Sequence, residues 1–210
     1  MTELTDNLLQ LICVFICGCQ SCIYAVIKKS YNQLLISLFY LSFGMGLAYW
    51  VMYLVLFGTS PLVFCVSELS WTASYIFLAM RLASDIPKEE KKNNSKIVFW
   101  ILPIFSLIMG IFFFVRGSYF ENILMGSSMA VLGFYAVKGI YLSTHTNNKR
   151  IFRAALFFYA AEYLLWISSY FIVKDSFINP YYLTDTFIMN PALILIAVAQ
   201  CKEDRSCPTI

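Results

Sequence analysis

Charge is what this 210-residue chain has least of: Asp, Glu, Lys and Arg together make up 13% of it, about half of what a water-soluble domain carries. With 60% hydrophobic residues and a mean hydropathy of +0.72, too few polar side chains remain to coat a soluble surface. Histidine is scarcer still. The single one, His145, stands in a short polar break. That excludes chemistries needing several placed imidazoles, such as intramembrane metalloproteases, ceramidase-like hydrolases, lipid desaturases and haem carriers. A serine–histidine dyad within a membrane falls on the same ground. No lysine lies midway along the last apolar run, which excludes an opsin-type Schiff base. A formal charge of +3 gives no sign of a nucleic-acid partner. Five of the seven cysteines lie inside apolar runs, where a thiol acts as a small hydrophobe. Cys13 and Cys17 share a helical face while Cys19 and Cys22 point elsewhere, so no metal site and no cofactor are expected from them. Cys201 and Cys207 are read as lying just past the last helix, open to lipidation.

What the chain has is long apolar runs. They span Leu8–Ile27, Leu34–Phe57, Pro61–Ala83, Ile97–Val115, Tyr119–Leu142, Phe152–Val173 and Pro180–Gln200. A bilayer core needs about 20 apolar helical residues per crossing, and backbone groups in lipid must be satisfied within the segment, so helices are expected. The predicted fold is all-α: a polytopic membrane protein of seven transmembrane helices, one domain over 1–205 with a short cytoplasmic tail at 206–210. The acidic start MTELTDN does not read as a cleavable signal peptide. The lipid bilayer is the first expected partner.

Orientation follows from the basic residues, which gather on cytoplasmic loops. With the N-terminus outside, the inner side holds Lys28, Lys29, Arg81, Lys88, Lys91, Lys92, Lys96, Lys149, Arg150, Arg153, Lys202 and Arg205, and the outer side only Arg116 and Lys174. The prediction is therefore N-out and C-in, in a plasma membrane or bacterial inner membrane. The sequon Asn93-Asn94-Ser95 then lies inside, where it stays unmodified.

A parallel 3+1+3 repeat is one reading of the order, with 8–83 and 119–200 as halves joined by helix 97–115. Asn32 and Trp50 fall 116 residues before Asn148 and Trp166, and Glu68 falls 117 before Asp185. In architecture this layout is similar to the small sugar transporters and the proline–glutamine-loop family, without the Pro-Gln dipeptides that mark the latter. Ala161–Gln200, with Glu162, Trp166 and the run NPYYLTDTF, also looks like the membrane half of bacterial seven-helix sensors.

Ionisable side chains inside hydrocarbon cost about 2.5–3.5 kcal/mol on insertion scales and are functional candidates by default. Here they are Glu68, Glu162, Asp185 and Lys138. At 100° per residue, Glu68 shares a face with Trp71, Thr72 and Tyr75. Glu162 shares one with Tyr159, Trp166, Ser169 and Tyr170. On the second helix Ser42, Gly46, Tyr49, Trp50 and Tyr53 form a similar arc. Asn190-Pro191 is read first as a proline tolerated in a membrane helix, the alternative being a kink that frees a carbonyl for binding. The expected substrate-binding set is Glu162, Glu68, Asp185, Trp166, Tyr159, Trp71, Tyr75, Trp50 and Asn190, with no catalytic residue. The plainer reading makes these acids helix glue, paired with Tyr, Ser or Lys138. Lys138 itself is expected to snorkel to the headgroups. Gly44, Gly46, Gly126 and Ser127 are expected to let helices approach closely.

Carboxylates among aromatic faces suit a cation or amine. The leading expectation is a transporter of a small polar or cationic solute, the solute being a small-molecule ligand within the helix bundle and its movement coupled to protons. The alternative is a ligand-sensing or regulatory subunit acting on a cytoplasmic protein partner, and a homo-oligomer is compatible with either. No enzymatic role is expected, although a membrane hydrolase based on two acids is chemically allowed.

Overall fold

The structure is a computed structural model and describes residues 3–61, 65–92, 96–114, 119–142, 148–171 and 179–206. Arg116, Lys174, His145, the Asn93-Asn94-Ser95 sequon and Cys207 fall outside the described residues, as do the side chains of Lys91, Lys92, Tyr170 and Arg205. Among the described residues the chain is helical and holds no strand. The long helices are α1 Glu3–Lys28, α2 Tyr31–Phe57, α3 Cys65–Ser84, α4 Ile97–Phe114, α5 Tyr119–Leu142, α6 Asn148–Phe171 and α7 Pro180–Ser206. The first turn of α4 is a 3-10 turn, and α7 widens into a π-turn at Asp185–Met189.

Six of these, all but α3, are long and apolar enough to cross a membrane. α3 is the polar one, carrying Ser67, Glu68, Ser70, Thr72, Ser74 and Arg81; all of these but Ser70 are buried, while Val66, Leu69, Ile76 and Met80 on its other side are exposed. α1, α2 and α3 pack in sequence, as do α5, α6 and α7; α3 then meets α5, and α7 meets α1, closing a ring of six, with α4 on the outside against α5. The core is aromatic at its centre, where Phe39 and Tyr40 of α2, Tyr75 of α3 and Phe158 of α6 are almost wholly buried. Outward faces are apolar instead: Phe15 is 70% exposed, Ile111 66% and Phe187 70%. Such an inverted surface suits lipid rather than water.

Three local expectations are corrected. Lys138 does not reach outward. Its side chain is fully buried, its ammonium 5.2 Å from the Phe134 ring centroid and 5.6 Å from that of Phe99. Two aromatic faces receive the cation that was expected among headgroups. Cys201 is not past the last helix, because α7 continues to Ser206, and its thiol accepts a hydrogen bond from Gln20 at 3.3 Å. Ser127 is exposed and bonds back to the Leu124 carbonyl. Gly44, Gly46 and Gly126 do stand at close helix approaches.

Asn190-Pro191 is accommodated in the last helix by the π-turn. Pro191 has no N–H to offer and its ring crowds the preceding turn. The helix widens there, and the Asn190 N–H donates to the Asp185 carbonyl. π-turns of this kind recur at functional sites.

Candidate functional site

The half of the bundle holding the starts of α1, α3, α5 and α7 encloses a cavity of about 330 Å³. Its polar lining comes from Asn7 and Gln10 of α1, Glu68 of α3, Glu121 of α5, Glu162 and Ser169 of α6, and Tyr181 and Asp185 of α7. Its aromatic walls are Phe43, Trp50, Trp71, Tyr75 and Trp166. No lysine or arginine is among the described residues that line it.

Two pairs of carboxylates stand at this cavity. Asp185 lies within hydrogen-bonding reach of Asp6 and receives the Gln10 amide. Asp6 in turn accepts from the Thr186 hydroxyl at 2.7 Å. Across the space, Glu68 lies within hydrogen-bonding reach of Glu121. Glu162 is single, with the Tyr75 hydroxyl as its neighbour. One oxygen each of Glu162 and Glu68, together with the indole nitrogen of Trp71, is buried without a hydrogen-bond partner among the described residues. Buried polar atoms are almost always partnered in folded proteins; these three stand at the cavity, while others among the described residues, such as those of Thr72 and Tyr163, do not line it.

Position along the helices separates these acids. Glu68 and Glu121 stand in the first turns of α3 and α5, and Asp6 in that of α1. Acids there complement the positive end of a helix and have a structural reason to exist. Glu162 lies 14 residues into α6, about 21 Å from its start at 1.5 Å per residue. No helix end accounts for it.

No family model, no curated protein and no solved structure matches this chain. The geometry therefore stands by itself.

Of the nine expected site residues, Glu162, Glu68, Asp185, Trp166, Trp71, Tyr75 and Trp50 line the cavity. Two do not. Tyr159 turns to the α4 seam, where its hydroxyl meets Ser106 at 2.7 Å and donates to the Leu102 carbonyl at 3.1 Å. Asn190 is not a lining residue, and its backbone carbonyl stands 4.0 Å from the Cys13 thiol. Lys138 neutralises none of the cavity acids: it lies 17 residues along α5 from Glu121, about 26 Å at 1.5 Å per residue. Ser169 was grouped with Glu162 by spacing and does line the cavity.

The α1 contribution was missed because its apolar run was read from Leu8. The helix begins at Glu3, and its buried face is polar at the start: Asp6, Asn7 and Gln10, then Val14, Cys17 and Ser21. That three-and-four spacing was visible in the sequence. Glu3 belongs to the same rim, accepting from the Trp50 indole at 2.7 Å and from Ser60 at 2.8 Å.

Proposed function

We propose that this chain is a multi-pass protein of the cell membrane that binds a small cationic solute among Glu162, Asp185 and Glu68 and carries it across. The observation that carries this reading is the cavity itself: carboxylates and aromatic faces with no lysine or arginine among its described lining. A buried carboxylate must take a proton or find a cation. Solute and proton thus neutralise the same groups in turn, which is how intramembrane acids couple their movements. The indoles of Trp50, Trp71 and Trp166 add cation–π attraction, about 0.5–2 kcal/mol per contact.

The reading includes α3 as a seventh crossing: Ser67, Glu68, Thr72, Ser74 and Arg81 are buried while Val66, Leu69, Ile76 and Met80 form its exposed face, so its polar residues do not exclude it. The N-out orientation is supported by a separation of charge. Described lysines and arginines gather where α2, α4 and α6 begin, and the cavity acids lie at the opposite end. It also includes the 3+1+3 repeat, supported by the two sequential three-helix runs and by Trp50 with Trp166, and Glu68 with Asp185, meeting at one cavity.

Beneath the cavity lies a closed floor. Phe39, Tyr40, Phe158 and Leu193 are buried to within a few per cent, and the Tyr40 hydroxyl ties α2 to the Leu193 carbonyl at 2.6 Å. For a transporter this is the outward-facing state. The same floor favours a second reading, in which the chain senses a cation from outside and signals to a cytoplasmic partner.

Flux in proteoliposomes separates the two. An organic cation such as tetramethylammonium or spermidine is added outside, and internal pH and cation uptake are followed. Transport predicts uptake with proton release in the wild type and none in Glu162→Gln. Binding without uptake moves the assignment to sensing. Undiminished uptake by Glu162→Gln removes the mechanism.

A further inference from the structure

A second cavity lies at the opposite end of the bundle, on its outer face between α6 and α7, and encloses about 270 Å³. α6 supplies Arg150, Arg153, Ala154 and Phe157; α7 supplies Leu195, Val198, Ala199 and Lys202. Both sets follow the same three-and-four helical spacing, so each is a single stripe. Because α6 and α7 run antiparallel, both charged ends fall together: the arginines at the start of α6 and the lysine near the end of α7. The small alanines at the centre make a trough, and the apolar ends of the stripes continue from the charges towards mid-membrane.

We propose that this groove binds one acidic phospholipid of the inner leaflet, its phosphate held by Arg150, Arg153 and Lys202 and an acyl chain lying along Phe157, Leu195 and Val198. Charge complementarity argues for the head. None of the three cations forms an ion pair among the described residues, and Glu203, the acid nearest in sequence to Lys202, is engaged by Arg81 at 2.8 Å. The walls argue for the tail: Phe157 and Val198 are 41% exposed and Leu195 45%, on a face that meets lipid. Basic pockets between transmembrane helices recognise anionic headgroups in this way, whereas a zwitterionic head offers no net charge to hold. The inference needs the helices to cross a membrane and is independent of the acidic cavity.

Native mass spectrometry of the full chain, released from phosphatidylcholine bilayers doped with phosphatidylglycerol, reads the retained lipid. The wild type is expected to keep one phosphatidylglycerol. Arg150→Gln/Arg153→Gln/Lys202→Gln is expected to retain it at least about tenfold less. Val198→Trp keeps all three charges, fills the trough from an exposed position, and is expected to lose the lipid as well. Lys28→Gln/Lys29→Gln/Lys88→Gln removes as much charge from the same end of the bundle and is expected to leave retention unchanged. Equal loss in this last variant, full retention in Val198→Trp, or displacement of the lipid by inorganic phosphate alone would each overturn the proposal.

Discussion

Two clusters of buried acids occupy opposite ends of this bundle, and among the described residues only one contains its own cation. At the basic end Arg81 is fully buried, and its guanidinium is met on every side. Nε donates to Gln200 at 2.6 Å, Nη1 lies 2.7 Å from Asp85, and Nη2 donates to Glu203 at 2.8 Å. Asn32 and Ser84 complete the set, bonding each other at 2.9 Å. At the other end Glu162, Asp185 and Glu68 surround a cavity with no basic side chain among its described lining. The chain can supply a buried arginine where helices need clasping. Its absence from the described lining of the acidic cavity is then a property of that site, which the proposed cation from outside would complete.

The sharpest way to break this comparison is to remove the resident cation. Arg81→Met leaves Glu203 and Asp85 facing each other in a dry interior. Stability in detergent is expected to fall by about 3–5 kcal/mol, the usual cost of orphaning one side of a buried pair. Removing both partners in Arg81→Met/Glu203→Met is expected to recover much of that loss, because two apolar chains need no charge balance. A single substitution costing under about 1 kcal/mol would erase the distinction between the clusters.

The same operation at the other end is expected to act on binding instead. Glu162→Gln keeps the shape of the side chain and removes its charge, leaving unfolding in detergent within about 1 kcal/mol of wild type. Affinity for an organic cation, measured by calorimetry on purified protein, is expected to fall at least about tenfold. A variant that unfolds readily yet binds as before would assign Glu162 to the clasp category.

How much of this was legible follows from where each residue sits. The apolar runs announced the helices, and the face shared by Glu68, Trp71 and Tyr75 follows from helical spacing alone, because the neighbours of α3 bury that whole face. Periodicity could not tell which of two inward directions a residue takes. Tyr159 and Glu162 share a face of α6, yet Tyr159 meets α4 while Glu162 meets the cavity. That depends on α4 standing outside the ring of six, which no local pattern encodes. Lys138 fails for a similar reason: a lysine near a helix end snorkels only when that face meets lipid, and here Phe99 and Phe134 cover it.

A smaller effect tests the aromatic wall without touching an acid. A Cβ on Gly46 would stand 2.7 Å from the Trp71 indole nitrogen and 3.1 Å from the Ser67 carbonyl oxygen. The carbonyl belongs to the α3 backbone and yields little, so Gly46→Ala is expected to push the indole into the cavity. Stability is expected to fall by about 1–3 kcal/mol from the added crowding. Cation affinity is expected to drop by roughly three- to tenfold through the displaced face. The spectral response of tryptophan fluorescence to bound cation would shift with it.

The smallest effect asks whether the border of the site is drawn in the right place. Tyr159 and Tyr75 are both buried tyrosines, at 3% and 1% exposure, and spacing alone gave them one role. Tyr159 spends its hydroxyl on Ser106 and the Leu102 carbonyl across the α4 seam, whereas the Tyr75 hydroxyl neighbours Glu162 at the cavity. Tyr159→Phe is therefore expected to cost about 1 kcal/mol of stability, a typical net hydrogen bond, with cation affinity unchanged. Tyr75→Phe removes the hydroxyl beside Glu162, and is expected to change cation affinity and its pH dependence while costing a similar amount of stability. If both variants moved affinity alike, the cavity and the α4 seam would be one polar network, and a solute bound at Glu162 would be felt by the helix outside the ring.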